Sequence, residues 1–280
     1  MAAPPGTPRP AVSDAMRWHG IGNALTQTGR WAKSGAVIRL SVNVNKAATL
    51  RNARGGDVPD VLRVAQTCVE AGCHGITVHP RPDGRHIRYD DVETLAARLG
   101  VELNVEGYPS DTFLDLVCRV RPAQCTLVPD PPDVLTSNAG WRLGGDTAWL
   151  RDVVARLREA GIRVSLFLDP DPAEVPRVRA LEADRVELFT EAYARAYGGP
   201  QQAAVFETYR ATADAASAAG LGVNAGHDLD LDNLAFLAAH LPGLVEVSIG
   251  HALISDALFM GLAAAVQAYL ARLERPASQR

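Results

Sequence analysis

The sequence predicts a single closed (β/α)₈ barrel over residues 37–275, and two observations lead there. From Val37 onward, short runs rich in β-branched and aliphatic residues alternate with longer amphipathic stretches. That alternation repeats eight times within about 240 residues, the count and the size of such a barrel. Strict alternation implies parallel strands joined by right-handed crossovers. A doubly wound open sheet is the other arrangement that the same elements allow.

The eight strand candidates, in order, are IRLSVNVN (38–45), GITVH (75–79), VELNVE (101–106), QCTLVP (124–129), RVSLFLD (163–169), RVELFT (185–190), GVNAGH (222–227) and VEVSIGH (245–251). Each precedes a helix candidate, among them VPDVLRVAQTCVEAG (58–72), TAWLRDVVARLREAG (147–161) and a final helix near Asp256–Leu273. Gly72, Gly161 and Gly220 fall where a left-handed C-cap is expected. One connection is unusually long. PDPPDVLTSNAGWRLGGD, from Pro129 to about Asp146, lacks periodicity and exceeds an ordinary βα loop, so it reads as a lid or binding loop.

Composition narrows the function classes. The 280 residues are 47% hydrophobic and 21% charged, ordinary for a globular chain. A formal charge of −4 carries no basic excess, which argues against nucleic acid as a partner. No apolar run reaches the roughly 20 residues of a membrane span. Cys68, Cys73, Cys118 and Cys125 form no CxxC pair and read as small buried hydrophobes of a reducing, cytoplasmic compartment. Residues 1–36 have a different character. MAAPPGTPRP holds four prolines in ten residues and no compact apolar h-region follows, so the stretch reads as a disordered N-terminal extension rather than a secretory signal.

Chemistry collects at the predicted C-terminal ends of the strands, where barrels place catalytic groups. Those ends carry Asn43 and Asn45 with Lys46, then His79, Glu106, Asp169, Glu187, His227 and His251. Only seven histidines occur, and three of them end predicted strands, with His86 in the loop just beyond one. Histidine and glutamate at such a rim can pass protons near neutral pH. Singly, each could be a hydrogen-bonded rim residue; together they point to acid–base catalysis. Metal ligation by His79, Glu106, His227 and His251 is the competing reading, although no HExxH-like pair supports it.

Phosphate-binding signals flank the set. TLRNARGG (49–56) places Arg51 and Arg54 beside two glycines in the first βα connection. NAGH (224–227) and IGH (249–251) end the seventh and eighth strands, where barrels commonly bind phosphate through backbone amides. HPRPDGRHIRYDD (79–91) adds Arg81, Arg85 and His86, which could equally form a solvated charged loop.

At these residues the chain resembles the pyridoxine 5′-phosphate synthase family, from about Leu40 to the last helix. SVNVNKAATLRNARGG, GITVHPRPDGRHI, NVEG, TLVPD, SLFLDPD, VELFTEAYA, VNAGHDL and VSIGHALI occur in the family's order. The resemblance implies condensation of 1-deoxy-D-xylulose 5-phosphate with 3-amino-2-oxopropyl phosphate, without a redox cofactor or metal. By position, His79 and Glu106 match its proton acceptors, His227 its proton donor and Glu187 a transition-state carboxylate. Asn43, Arg54, Gly250 and His251 match groups holding the amino-ketone phosphate; Arg81, His86 and Thr136 match groups holding the pentulose phosphate. The resemblance also implies a homo-oligomer, an octamer built from dimers.

Three departures stand out. The family's usual Asn-x-Asp-His after the first strand reads Asn43-Val44-Asn45-Lys46, Asp228 replaces a common glycine, and the long loop reads LTSNAGW. These resemble features of one family branch, and they leave the substrate contacts of Asn45, Lys46 and Asp228 open. Lys46 is expected to contact the pentulose phosphate rather than form a Schiff base, because the other substrate already brings the amine. A related lyase or aldolase acting on other phosphorylated ketones is the alternative enzyme. A non-catalytic phosphate-binding protein would not need His79, Glu106, Glu187 and His227 together.

Overall fold

The computed structural model describes residues 37–129 and 139–274. Eight parallel strands follow chain order round a closed barrel: β1 (Arg39–Asn43), β2 (Gly75–Val78), β3 (Glu102–Gly107), β4 (Gln124–Leu127), β5 (Arg163–Leu168), β6 (Arg185–Phe189), β7 (Gly222–Gly226) and β8 (Leu244–Ile249). Pairing of β8 with β1 completes the closure, with Ser41 opposite Ser248. The open sheet is therefore excluded, and each strand lies within two residues of its predicted ends.

Helices fill the crossovers. α1 (Asn45–Asn52) and α2 (Val61–Glu70) follow β1; α3 (Tyr89–Arg98), α4 (Asp111–Val120), α5 (Ala148–Glu159) and α6 (Val175–Ala180) follow β2 to β5 in turn. After β6 come α7 (Glu191–Ala196) and α8 (Gln202–Ala218), after β7 comes α9 (Leu234–His240), and α10 (His251–Met260) and α11 (Leu262–Leu273) end the described chain. Local signals explain several boundaries. Asp60 caps α2 by accepting the Arg63 N–H, and Ser110 caps α4 by accepting that of Phe113. Gly72, Gly161 and Gly220 adopt φ of +99°, +79° and +76°, the left-handed conformation expected after α2, α5 and α8.

Two expectations need correction. The single final helix is two, because Gly261 (φ +83°) breaks the chain between α10 and α11, and α10 begins already at His251. The first βα connection is not an open Arg/Gly loop either. Residues 45–52 form α1, and Arg51 is buried in a bidentate ion pair with Asp91 (2.6 and 2.9 Å). Arg51 thus ties α1 to α3 and is committed to the scaffold.

The strands alternate with period two. Leu40, Val42, Ile76, Val78, Leu103 and Val105 are all buried in the apolar core that includes the packed helices. The opposite parity is polar, so the lumen is not filled by the branched aliphatic residues usual in such barrels. Ser41 Oγ lies 2.7 Å from Thr77 Oγ1, Asn104 Nδ2 donates to Thr77 Oγ1 (3.4 Å), and Thr126 Oγ1 donates to Asn104 Oδ1 (3.1 Å). Below them Gln124 Nε2 donates to Glu246 Oε1 (3.3 Å), and Arg185 pairs with Glu246 at 3.5 Å. Buried charge of this kind is tolerated only when its partners are in place, which makes the lumen a rigid polar floor beneath the rim.

Candidate active site

Two carboxyls stand above that floor. Glu106 belongs to β3 and Glu187 to β6, and Thr126 Oγ1 from β4 donates to Glu187 Oε2 at 3.3 Å. Glu187 is 3% exposed. Burial first and the nearby Glu246 second raise its carboxyl to about 7, opposed by the Thr126 hydrogen bond and the neighbouring His227 and Arg185. Glu106 is raised well above the ordinary carboxylate range by burial, then by Glu187 and Glu246. A carboxyl so perturbed can hold a proton at neutral pH, and once ionised it is a stronger base than a solvated one. Asn43 Nδ2 faces Glu106 Oε2 at 3.5 Å, at the outer limit of a hydrogen bond.

On one side of Glu106 lies a cationic corner. His79 follows β2, and its backbone N–H donates to Asn45 Oδ1 (2.9 Å), which joins the first turn of α1 to the second strand end. The His79 and His86 rings meet edge to face, 5.9 Å between centroids. Burial, then His86, Arg81 and Arg85, push His79 down to about 3. Burial, then Arg81, Lys46 and Arg85, push His86 down to about 4. Both rings are therefore neutral at pH 7 without substrate. The same cations would be offset by a phosphate dianion, so a phosphorylated ligand settling here would raise the pKa of both imidazoles and make them easier to protonate. Arg81 is 5% exposed whereas Lys46 is open to solvent.

The opposite side is built by β6, β7 and β8. His227 follows β7 with φ of +94°, its ring edge-on to Phe189 (centroids 5.2 Å apart) and its Nδ1 2.8 Å from Asp228 Oδ2. Glycine is required just before it, since a Cβ on Gly226 would stand 2.5 Å from Glu187 Oε1. Gly250 is likewise tight, with a Cβ falling 3.0 Å from the Cβ of Asn43. That contact puts Asn43 beside the N-terminus of α10, where Gly250 is the cap and the exposed His251 the first residue. The free N–H groups of that helix start favour an anion.

The structure thus gathers most of the predicted residues at one rim, with refinements. Glu106 and Glu187 lie inside strands rather than at their ends, Asn45 and Lys46 open α1, and His251 opens α10. Arg54 is exposed in the turn after α1, a helix length of about 12 Å from Asn45 at 1.5 Å per residue. Asp169, which follows β5, accepts the Gly140 N–H (3.0 Å) and anchors the returning long connection. Thr136 lies outside the described residues. Among the described residues, no group of three or more His, Cys, Asp or Glu is arranged to hold a metal ion. Thr126, Thr190 and Glu246 were not among the predicted residues. For Thr126 and Glu246 the signal is the polar parity of the strands, which a search confined to strand ends passes over; Thr190 ends the sixth strand candidate, but a threonine there carries no acid–base signal.

A (β/α)₈ barrel with buried carboxyls, histidines and cationic side chains gathered on one rim is the class of protein these elements define. The family model described as pyridoxal phosphate biosynthesis protein PdxJ matches residues 40–275. The chain is 54% identical over 231 residues to pyridoxine 5′-phosphate synthase of Porphyromonas gingivalis, covering 82% of this chain and 97% of that protein. It is 51% identical over 237 residues to pyridoxine 5′-phosphate synthase of Cytophaga hutchinsonii, covering 85% and 99% respectively. Among solved structures, tryptophan synthase from M. tuberculosis superposes with a TM-score of 0.58 at 14% identity over 86% of this chain and 94% of that one, a likeness of fold alone. The chain belongs to the PdxJ family.

Proposed function

We propose that this chain condenses 1-deoxy-D-xylulose 5-phosphate with 3-amino-2-oxopropyl phosphate, releasing pyridoxine 5′-phosphate, inorganic phosphate and water. The observation that carries the reading is the convergence of Glu106, Glu187, His79 and His227 between two anion-binding corners. Imine formation, phosphate elimination, ring closure and dehydration each need a proton moved at a fixed place, and four acid–base groups round one cavity supply this. His79 and Glu106 accept protons, His227 donates, and Glu187, protonated in good part near pH 7, donates a hydrogen bond to developing negative charge. Lys46, Arg81 and His86, with Thr136, take the pentulose phosphate. Asn43, Gly250 and His251, with Arg54, take the amino-ketone phosphate.

The polar floor gives the reading further support, because Thr126 within it holds the Glu187 carboxyl from below. Residues 37–275 constitute the catalytic domain and residues 1–36 an extension to it. The protein acts in the cytoplasm, where its unpaired cysteines stay reduced. It assembles as a homo-oligomer: Phe259 is 92% and Leu258 73% exposed on α10, an apolar surface suited to burial against a second copy. Among the described residues, no helix is long and apolar enough to cross a membrane.

Purified protein mixed with both substrates in the presence of a chelator tests the reaction, followed by chromatography. Pyridoxine 5′-phosphate should accumulate with one phosphate released per turnover. Turnover of other ketose phosphates but not of the pentulose phosphate would favour the lyase or aldolase reading instead.

A further inference from the structure

The residue after His227 departs from the family's common glycine, and its surroundings are specific. Asp228 Oδ2 stands 2.8 Å from His227 Nδ1. Its backbone is fixed on both sides: the Asp228 N–H donates to Thr190 Oγ1 (3.1 Å), and Asn233 Nδ2 donates to the Asp228 carbonyl (3.2 Å). Thr190 Oγ1 in turn donates to the Gly226 carbonyl at 2.7 Å, and both Thr190 and Asn233 are buried. Phe189 closes one side of the imidazole at an interplanar angle of 85°. His227 keeps φ of +94°, a conformation unfavourable for a residue with a Cβ, so the surroundings must hold it there.

We propose that Asp228 is a positioning residue for His227, holding the imidazole with its hydrogen on Nδ1 and leaving Nε2 to exchange protons with the substrate. The inference rests on His227 as proton donor, as assigned above. An ionised carboxylate only accepts hydrogen bonds, so the nitrogen facing it must carry the hydrogen. When Nε2 is also protonated, the adjacent carboxylate stabilises the imidazolium without itself taking the proton. The proton then moves only between Nε2 and the substrate, and Asp228 remains ionised throughout. The alternative of a phosphate bound by the backbone at this position is disfavoured by the same geometry. The Asp228 N–H is engaged by Thr190, and a carboxylate beside a phosphate would repel it.

The test combines ¹⁵N NMR of the imidazole in the full chain without substrate with steady-state kinetics of Asp228→Ala and Asp228→Asn. The neutral wild-type ring should carry its hydrogen on Nδ1, and Asp228→Ala should move the majority of it to Nε2. Loss of one charge-assisted hydrogen bond at a partly exposed site should lower kcat about tenfold, with KM for either substrate changed by no more than roughly twofold. Asp228→Asn keeps the size and backbone contacts and should lose kcat similarly, which separates the effect from misfolding. In a His227→Ala background, Asp228→Ala should cost almost nothing further. A wild-type ring protonated on Nε2, a loss confined to KM, or an undiminished penalty in that background would overturn the proposal. An inactive wild-type enzyme would instead overturn the functional reading, while the NMR result still decides the Asp–His pairing.

Discussion

Replacing Gly226 by alanine sets a methyl group against the carboxyl of Glu187. The added Cβ would stand 2.5 Å from Glu187 Oε1 and 3.0 Å from the Ser248 carbonyl oxygen. Gly226 is not among the glycines with positive φ, so its backbone accepts alanine and the conflict is one of space. Restoring ordinary contact of about 3.4 Å requires the carboxyl to retreat by roughly 0.9 Å, which also stretches its 3.3 Å hydrogen bond from Thr126. Overpacking of this size costs about 1–3 kcal/mol, and at roughly 2–4 °C per kcal/mol for a domain of this length the melting temperature should fall by about 2–12 °C. A catalytic group misplaced by nearly 1 Å should lose about a hundredfold in kcat. The assay is a double-mutant cycle with Glu187→Ala, read by thermal melting and by turnover. Removing the carboxyl relieves the main clash, so the alanine at 226 should then cost little stability. An equal loss of melting temperature in both backgrounds would refute the contact as the reason for glycine.

Other perturbations test other parts of the site. The native carboxyl of Glu187, raised to about 7 against an ordinary 4.5, makes the folded state bind more protons than the unfolded one between those values. Its contribution to stability is therefore present at low pH and lost as pH rises through that window. Glu187→Gln should lose less melting temperature than wild type between pH 4.5 and 8, and equal slopes would count against the perturbed carboxyl. Inorganic phosphate should raise the NMR titration of His86 from about 4, because the bound anion, even singly charged at that pH, offsets Arg81, Lys46 and Arg85; no change would mean the corner does not bind phosphate. Phe259→Asp should lower the solution mass measured by light scattering, since it puts charge in the exposed apolar part of α10; an unchanged mass would locate any subunit contact elsewhere.

The sequence and the structure meet closely in the barrel and less closely at its rim. Strands such as RLSVN and ELNVE announce themselves because buried apolar residues must recur every second position to cover the helix-facing side. The placement of Glu106, Glu187 and His227 towards the C-terminal ends of β3, β6 and β7 is legible for a related reason, because alternation fixes where each strand stops. Local pattern cannot distinguish an arginine waiting for phosphate from one like Arg51, whose partner, Asp91, lies forty residues away. The break between α10 and α11 was missed because a lone glycine in a helical pattern is often tolerated, and only the observed φ at Gly261 reveals the turn. The polar lumen was visible in principle as serine, threonine, asparagine and glutamate at alternate positions. Assigning it, however, requires knowing that Thr126 reaches across to Glu187, a contact between strands that are not neighbours.

The measurement that bears most directly on the acid–base reading separates binding from turnover in Glu106→Gln. Glutamine keeps the size of the side chain and the contact with Asn43 but cannot accept a proton. Calorimetric titration should show both phosphorylated substrates binding within a few-fold of wild type, while pyridoxine 5′-phosphate formation falls by about a hundredfold or more. Full turnover by Glu106→Gln would contradict its role as proton acceptor and the reading built on it.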